Sequence, residues 1–118
     1  MMIALVIGLT FPYLACARAP LPTHELDGAQ AAVLRAESAD ANQYAAAALL
    51  RAKNALSQAQ AALAARKHAD AIGLAQLASA EADYAHARSR EASLQTELTL
   101  RRAEISELRK RLGMEIAP

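Results

Sequence analysis

Six alanines, Ala71, Ala75, Ala78, Ala82, Ala85 and Ala92, recur at alternating steps of four and three, and Ser89 fills the one place left open. On a helix that spacing draws a single stripe of the smallest chiral side chain along one face. Such a stripe buries little area by itself, so a neighbouring helix must come close and bring larger side chains. The segment just upstream supplies them. Leu49, Leu56 and Leu63 stand at intervals of seven with Ala52 and Ala59 between, on a helix expected to run from about Tyr44 to Arg66 with Asp40 or Asn42 as its cap. The pattern breaks at "RKHAD". A hairpin turning near Lys67 sets Leu63 level with Ile72, Leu56 near Ala78 and Leu49 near Ala85, leucine knobs meeting alanine holes. The expected packing residues are therefore Leu49, Leu56 and Leu63 against Ala71, Ala78 and Ala85.

A shorter helix precedes this pair. Thr23 is placed to cap it, Glu25 and Asp27 favour its amino end, and Leu26, Ala29, Val33 and Ala36 form one narrow apolar stripe before "ESADANQ" ends it near Asp40. With 32 alanines in 118 residues, and Gly and Pro at only four each and mostly near the boundaries, the fold class is all-α. The architecture is an antiparallel helical hairpin or three-helix bundle with a long C-terminal helix. Gly73 is the glycine inside that helix, marking a close helix crossing or a slight kink.

No strong breaker separates residues 70 and 112, so the last helix spans about 65 Å against about 35 Å for the one before it. It overhangs the bundle, or bends at Ser89 or Arg90 and folds back. Past that point alanine nearly vanishes, and Leu94, Leu98, Ile105, Leu108 and Leu112 form a larger seam. Glu97 with Arg101 and Glu107 with Arg111 are spaced to pair along its surface. A helix this amphipathic calls for a partner, either a second copy or the helix of another protein.

Residues Met1 to Ala17 contain no charged side chain, and Pro12 interrupts them, which makes the run shorter than the ~20 residues of a spanning helix and typical of an export signal. It ends in "YLAC", around the only cysteine, Cys16, which has no second thiol to pair with. The string resembles a bacterial lipobox, with Ala15 and Cys16 matching and Tyr13 and Leu14 departing from the usual residues. That resemblance implies a diacylglycerol anchor on Cys16, removal of residues 1–15, and, with Ala17 rather than Asp behind the cysteine, an outer-membrane, periplasm-facing location. Two other readings stay open: soluble periplasmic export after Ala17 or Ala19, and an uncleaved inner-membrane anchor.

Thirteen Lys and Arg against twelve Asp and Glu leave a net charge of +1, and no basic block is backed by aromatics, so nucleic acid is not an expected partner. His24, His68 and His86 are the only histidines, and no two share the one-turn spacing of a helical metal site; His86 with Asp83 is the nearest approach. No paired carboxylates and no phosphate-cradling glycine loop are evident. No metal, cofactor, small-molecule substrate or catalytic residue is assigned.

The strings "EL" at 25, "AESADANQYA" from 36 to 45, "LLRAKNALSQA" from 49 to 59 and "HADAIGLAQLASAEADYAHAR" from 68 to 88 resemble the bacterial envelope family known as domain of unknown function 4398. Ala46 stands where many members have a proline opening the second helix. The resemblance implies a short lipoprotein with an alanine-rich helical domain, and it brings no catalytic residues. The chain then divides into a signal peptide over 1–15, the lipidated Cys16 and linker over 16–23, the helical domain over 24–92 and the amphipathic extension over 93–118. The expected role is a non-enzymatic scaffold, spacer or accessory subunit; the alternative is a tetratricopeptide-like module gripping an extended peptide or cell-wall fragment.

Overall fold

The computed structural model describes residues 21–113. The leader, Cys16 and the first part of the linker lie outside the described residues, as do 114–118. Four helices follow one another: α1 (Thr23–Ser38), α2 (Ala41–Tyr44), α3 (Ala46–Ala64) and α4 (His68–Arg111). Both α3 and α1 pack chiefly on α4 and touch each other, with the single turn of α2 linking them at one end. The fold is all-α, a small bundle around one long helix.

The amino end of α1 differs from expectation. Pro22, buried, occupies the cap position, and Thr23 is already helical. The Thr23 hydroxyl points back toward the Leu21 carbonyl at 3.5 Å rather than forward to an α1 amide, so no side chain caps the helix, and its first backbone bond runs from the Leu26 amide to the Pro22 carbonyl at 3.2 Å. Leu26, Ala29, Val33 and Ala36 are buried, joined by Ala32.

Neither Asp40 nor Asn42 caps a helix through its side chain. Asp40 ends α1 in the left-handed region at φ 60°, which a short polar side chain tolerates, and its amide donates to the Glu37 carbonyl. One turn of helix follows, then Ala45 leaves helical geometry at φ −144° and ψ 39°, and its carbonyl accepts the Leu49 amide to start α3. The second helix thus begins at Ala46, the position where the family resemblance puts a helix-opening proline; Ala46 is the first helical residue, where proline's missing N–H is harmless.

At the other end of α3 the Lys67 amide donates to the Ala62 carbonyl and the Arg66 amide to the Leu63 carbonyl, both at 2.9 Å. This six-to-one, five-to-two pair closes the helix with Arg66 at φ 59°, a place more often held by glycine. Gly113, at φ +67°, ends α4 in the same left-handed manner without the side-chain penalty.

Alanine forms the core almost alone. One cluster joins Ala32, Val33, Ala36, Ala41, Ala48, Leu49, Ala52, Ala82 and Ala85; the other joins Leu26, Ala29, Ala55, Ala59, Ala62, Ala71, Ala75 and Ala78, and Leu56 packs against both. On α3 the deeply buried row is Ala48, Ala52, Ala55, Ala59 and Ala62, stepping four and three as the row on α4 does. Leu49 is buried, whereas Leu56 and Leu63 are only half-buried. The contact is therefore largely alanine against alanine, with leucines flanking it. Helices that present only methyl groups can approach closely, trading bulk for close backbone packing.

Three ion pairs lace the helices in a triangle: Arg35 of α1 to Asp83 of α4 at 2.9 Å, Arg51 of α3 to Glu81 of α4 at 3.0 Å, and Lys53 of α3 to Glu37 of α1. All are at the surface, so each contributes between zero and about 1 kcal/mol. Their value lies in fixing which helix faces which.

Candidate functional site

α4 is one unbroken helix of 44 residues, so the bend at Ser89 or Arg90 does not occur. Its buried row ends at Ser89, and from Glu91 to Gly113 every residue is exposed except Ala92 and Ser106, which are intermediate. About 33 Å of helix, at 1.5 Å per residue, stands clear of α1 and α3. Nothing in the sequence there argues for a kink: from Glu91 to Leu112 there is no proline or glycine, and good helix formers dominate.

The five seam residues all lie on this projecting part, with Leu94 59% exposed, Leu98 43%, Ile105 49%, Leu108 49% and Leu112 73%. Leu100, 65% exposed, lies off the seam. Of the two ion pairs expected along the surface, Glu107 and Arg111 meet at 3.2 Å, but Arg101 turns to Glu104 at 3.1 Å instead of to Glu97. A second i,i+3 pair, Arg88 with Glu91, sits where α4 leaves the bundle.

Thr23 and Leu21 share a surface groove with Leu63, Arg66 and His68, so the chain enters the bundle beside the α3–α4 turn. α1 then runs toward the other end, where Ser38 and Asp40 border a groove with His86, Arg90 and Leu94. Entry point and projecting helix are thus at opposite ends of the bundle. Of the expected packing residues, Ala71, Ala78 and Ala85 are fully buried on α4; Leu49 shares a buried cluster with Ala85, while Leu56 and Leu63 flank the cluster that holds Ala71 and Ala78.

Polar chemistry is sparse among the described residues. Asp83 is engaged by Arg35 and Glu81 by Arg51, so neither carboxylate is left to work with His86. No cluster of three metal-ligating side chains occurs among the described residues. A groove of about 650 Å³ beside the hairpin turn is lined mainly by Ala61, Ala62, Ala65, Ala69 and Leu74 with Lys67 and Asp70 at its margin. Gly73 borders it, and nothing lies within 4 Å of where its Cβ would stand, so this glycine does not mark a close crossing. No helix of the described residues is long and apolar enough to cross a membrane.

Two features escaped sequence reasoning. The alanine row of α3 was hidden by its leucines, although Ala48, Ala52, Ala55, Ala59 and Ala62 carry the same four-three signal as α4. The exposed Leu77 and Tyr84, 51% and 54% accessible, were hidden by the buried alanines they alternate with.

A family model described as Domain of unknown function (DUF4398) matches residues 24–101. The matched region takes in the whole bundle and the start of the projecting helix, and stops short of Ile105, Leu108 and Leu112. No curated protein and no solved structure matches the chain. With the match covering well over half of its 118 residues, the chain belongs to the DUF4398 family.

Proposed function

We propose that this is a non-enzymatic, lipid-anchored helical protein of the bacterial cell envelope, held to the outer membrane through Cys16 and facing the periplasm. Its work is positioning: the bundle acts as a spacer or scaffold, and the end of α4 offers the seam through which a partner helix is held. The observation that supports this most is the placement of the two ends. The chain enters the bundle beside the α3–α4 turn, while the exposed leucines are spread along the roughly 33 Å of helix that leaves the other end. A tether at Cys16 would keep the first end at the membrane and point the seam away from it. Several acyl chains on one cysteine give a stable attachment, since each buried methylene contributes about 0.8 kcal/mol.

Two measurements test the reading. Intact mass of the protein from native membranes, beside a Cys16→Ala version, is expected to show loss of residues 1–15 and added acyl mass that the variant lacks. Full-length unmodified protein would overturn the anchor. Leu98→Asp combined with Ile105→Asp is expected to abolish assembly while circular dichroism stays helical; unchanged assembly would overturn the scaffold role.

A further inference from the structure

The seam of α4 does not begin at Leu94. Counting back from Leu112 in alternating steps of four and three gives Leu108, Ile105, Arg101, Leu98, Leu94, Glu91, Ala87, Tyr84, Ala80 and Leu77, every one of them exposed. Within the bundle this row lies on the side of α4 away from the buried row Ala71, Ala75, Ala78, Ala82, Ala85 and Ser89. Beyond Leu94 a helix laid along it stands clear of the bundle, while nearer to it Leu94 borders a groove with Ser38 and Asp40, and Tyr84 one with Ala46 and Arg51. The row is a coiled-coil seam of period 3.5, unpartnered over five heptads.

The charges beside the seam say what fits. One flank carries Glu97 and Glu104, one heptad apart; the other carries Gln95, Arg102 and Arg109. In a parallel pair of α4 helices in register, each acidic position faces the residue five places further along the partner copy. Glu97 then meets Arg102 and Glu104 meets Arg109, with no like-charged pair across the flanks among the described residues, while within the seam Glu91 and Arg101 each face their own counterpart. An antiparallel overlap of the two extensions would instead set the Gln95, Arg102 and Arg109 row against itself. Glu97, Arg102 and Arg109, like Arg90 and Lys110, take no part in the ion pairs within the described residues, whereas Arg88 with Glu91 and Glu107 with Arg111 satisfy one another and Glu104 also takes Arg101 of its own helix.

We infer that the partner of the α4 seam is a second copy of this chain, in parallel and in register, forming a two-stranded coiled coil along the projecting helix. Ile105 followed by Leu108 is the residue order that favours two strands. Arg101 interrupts the seam; its guanidinium reaches out to Glu104 and leaves the aliphatic stem at the interface. A charged layer of this kind weakens the pair and penalises registers that would set Arg101 against leucine. The inference rests on the reading of the seam given under Proposed function, and two chains tethered at the same end to one membrane would already point the same way.

The test uses the full chain with Cys16→Ala, so that no other thiol is present. Parallel alignment brings Leu98 opposite Leu98 and Ile105 opposite Ile105, within the Cα separation that a disulfide spans, about 4.4–6.8 Å. Leu98→Cys and Ile105→Cys are each expected to give, on mild oxidation, a species of twice the mass that reverts on reduction, while Ala103→Cys on the far face does not. Glu97→Arg with Glu104→Arg should lose self-association, and so should Arg102→Glu with Arg109→Glu, whereas mixing the two restores it. Cross-linking confined to a mixture of Leu98→Cys with Leu108→Cys would overturn the parallel alignment. A monomer at all concentrations, with no cross-link at either seam position, would overturn the inference; if Leu98→Asp with Ile105→Asp still abolished binding to some other protein, the scaffold reading would survive it.

Discussion

Leu49 of α3 and Ala85 of α4, 36 residues apart in the chain, lie in one buried cluster, the leucine 2% exposed and the alanine not at all. Leu49 is the largest fully buried side chain of the bundle, in a core otherwise made almost wholly of methyl groups. Little around it can move in to fill a gap. Leu49→Ala is therefore expected to destabilise the bundle by about 2–5 kcal/mol, read as a lower urea midpoint, toward the upper end because neighbouring alanines have no rotamers with which to collapse.

Closeness of the α3–α4 contact is testable from the opposite direction. Ala59 is fully buried between the helices, while Ala61, two residues on, is exposed. Ala59→Leu forces the helices apart and should cost about 1–3 kcal/mol, whereas Ala61→Leu should change stability by less than about 0.5 kcal/mol. Equal effects in thermal unfolding would mean that the alanine rows are not in close contact.

Ser89 continues the alanine row of α4 at 0% exposure, and its hydroxyl finds no hydrogen-bond partner among the described residues. An unsatisfied buried polar atom costs about 1–3 kcal/mol. Ser89→Ala removes the hydroxyl and installs a better helix former, so chemical denaturation should show a gain of about 1 kcal/mol. A loss instead would mean that the hydroxyl is used, by water or by a partner that reaches the mouth of the bundle.

What could be read from the sequence follows from which signals are local. The four-three spacing of alanines in α4, the antiparallel hairpin, the long last helix and the exposed seam are all periodicity, and periodicity needs no knowledge of the rest of the fold. Local capping chemistry misled: Thr23, Asp40 and Asn42 have the right side chains for a helix cap, yet none makes a cap bond, since Thr23 and Asn42 are already inside α1 and α2 and Asp40 sits in the left-handed region. Partners of long, flexible side chains were equally out of reach, since Arg101 has acceptors at i−4 and i+3 alike and chooses Glu104. The alanine row of α3 could have been found, but leucine draws the eye to a heptad where the closest packing belongs to its smaller neighbours.

Arg66 closes the α3–α4 turn in a conformation that its side chain resists. At φ 59° its Cβ crowds the following carbonyl, a strain of about 1–2 kcal/mol that glycine escapes. The two backbone hydrogen bonds that hold the turn, Arg66 to Leu63 and Lys67 to Ala62, are made by main-chain atoms and survive substitution. Glycine also has more freedom to lose on folding, which offsets part of the relief. Arg66→Gly should therefore stabilise the bundle by about 0.5–1 kcal/mol, and Arg66→Val, whose branched side chain is worst in this region, should destabilise it. Urea titrations of both variants beside the parent chain decide the matter: a destabilising glycine would mean that the Arg66 side chain itself holds the turn through contacts stronger than the backbone strain it bears.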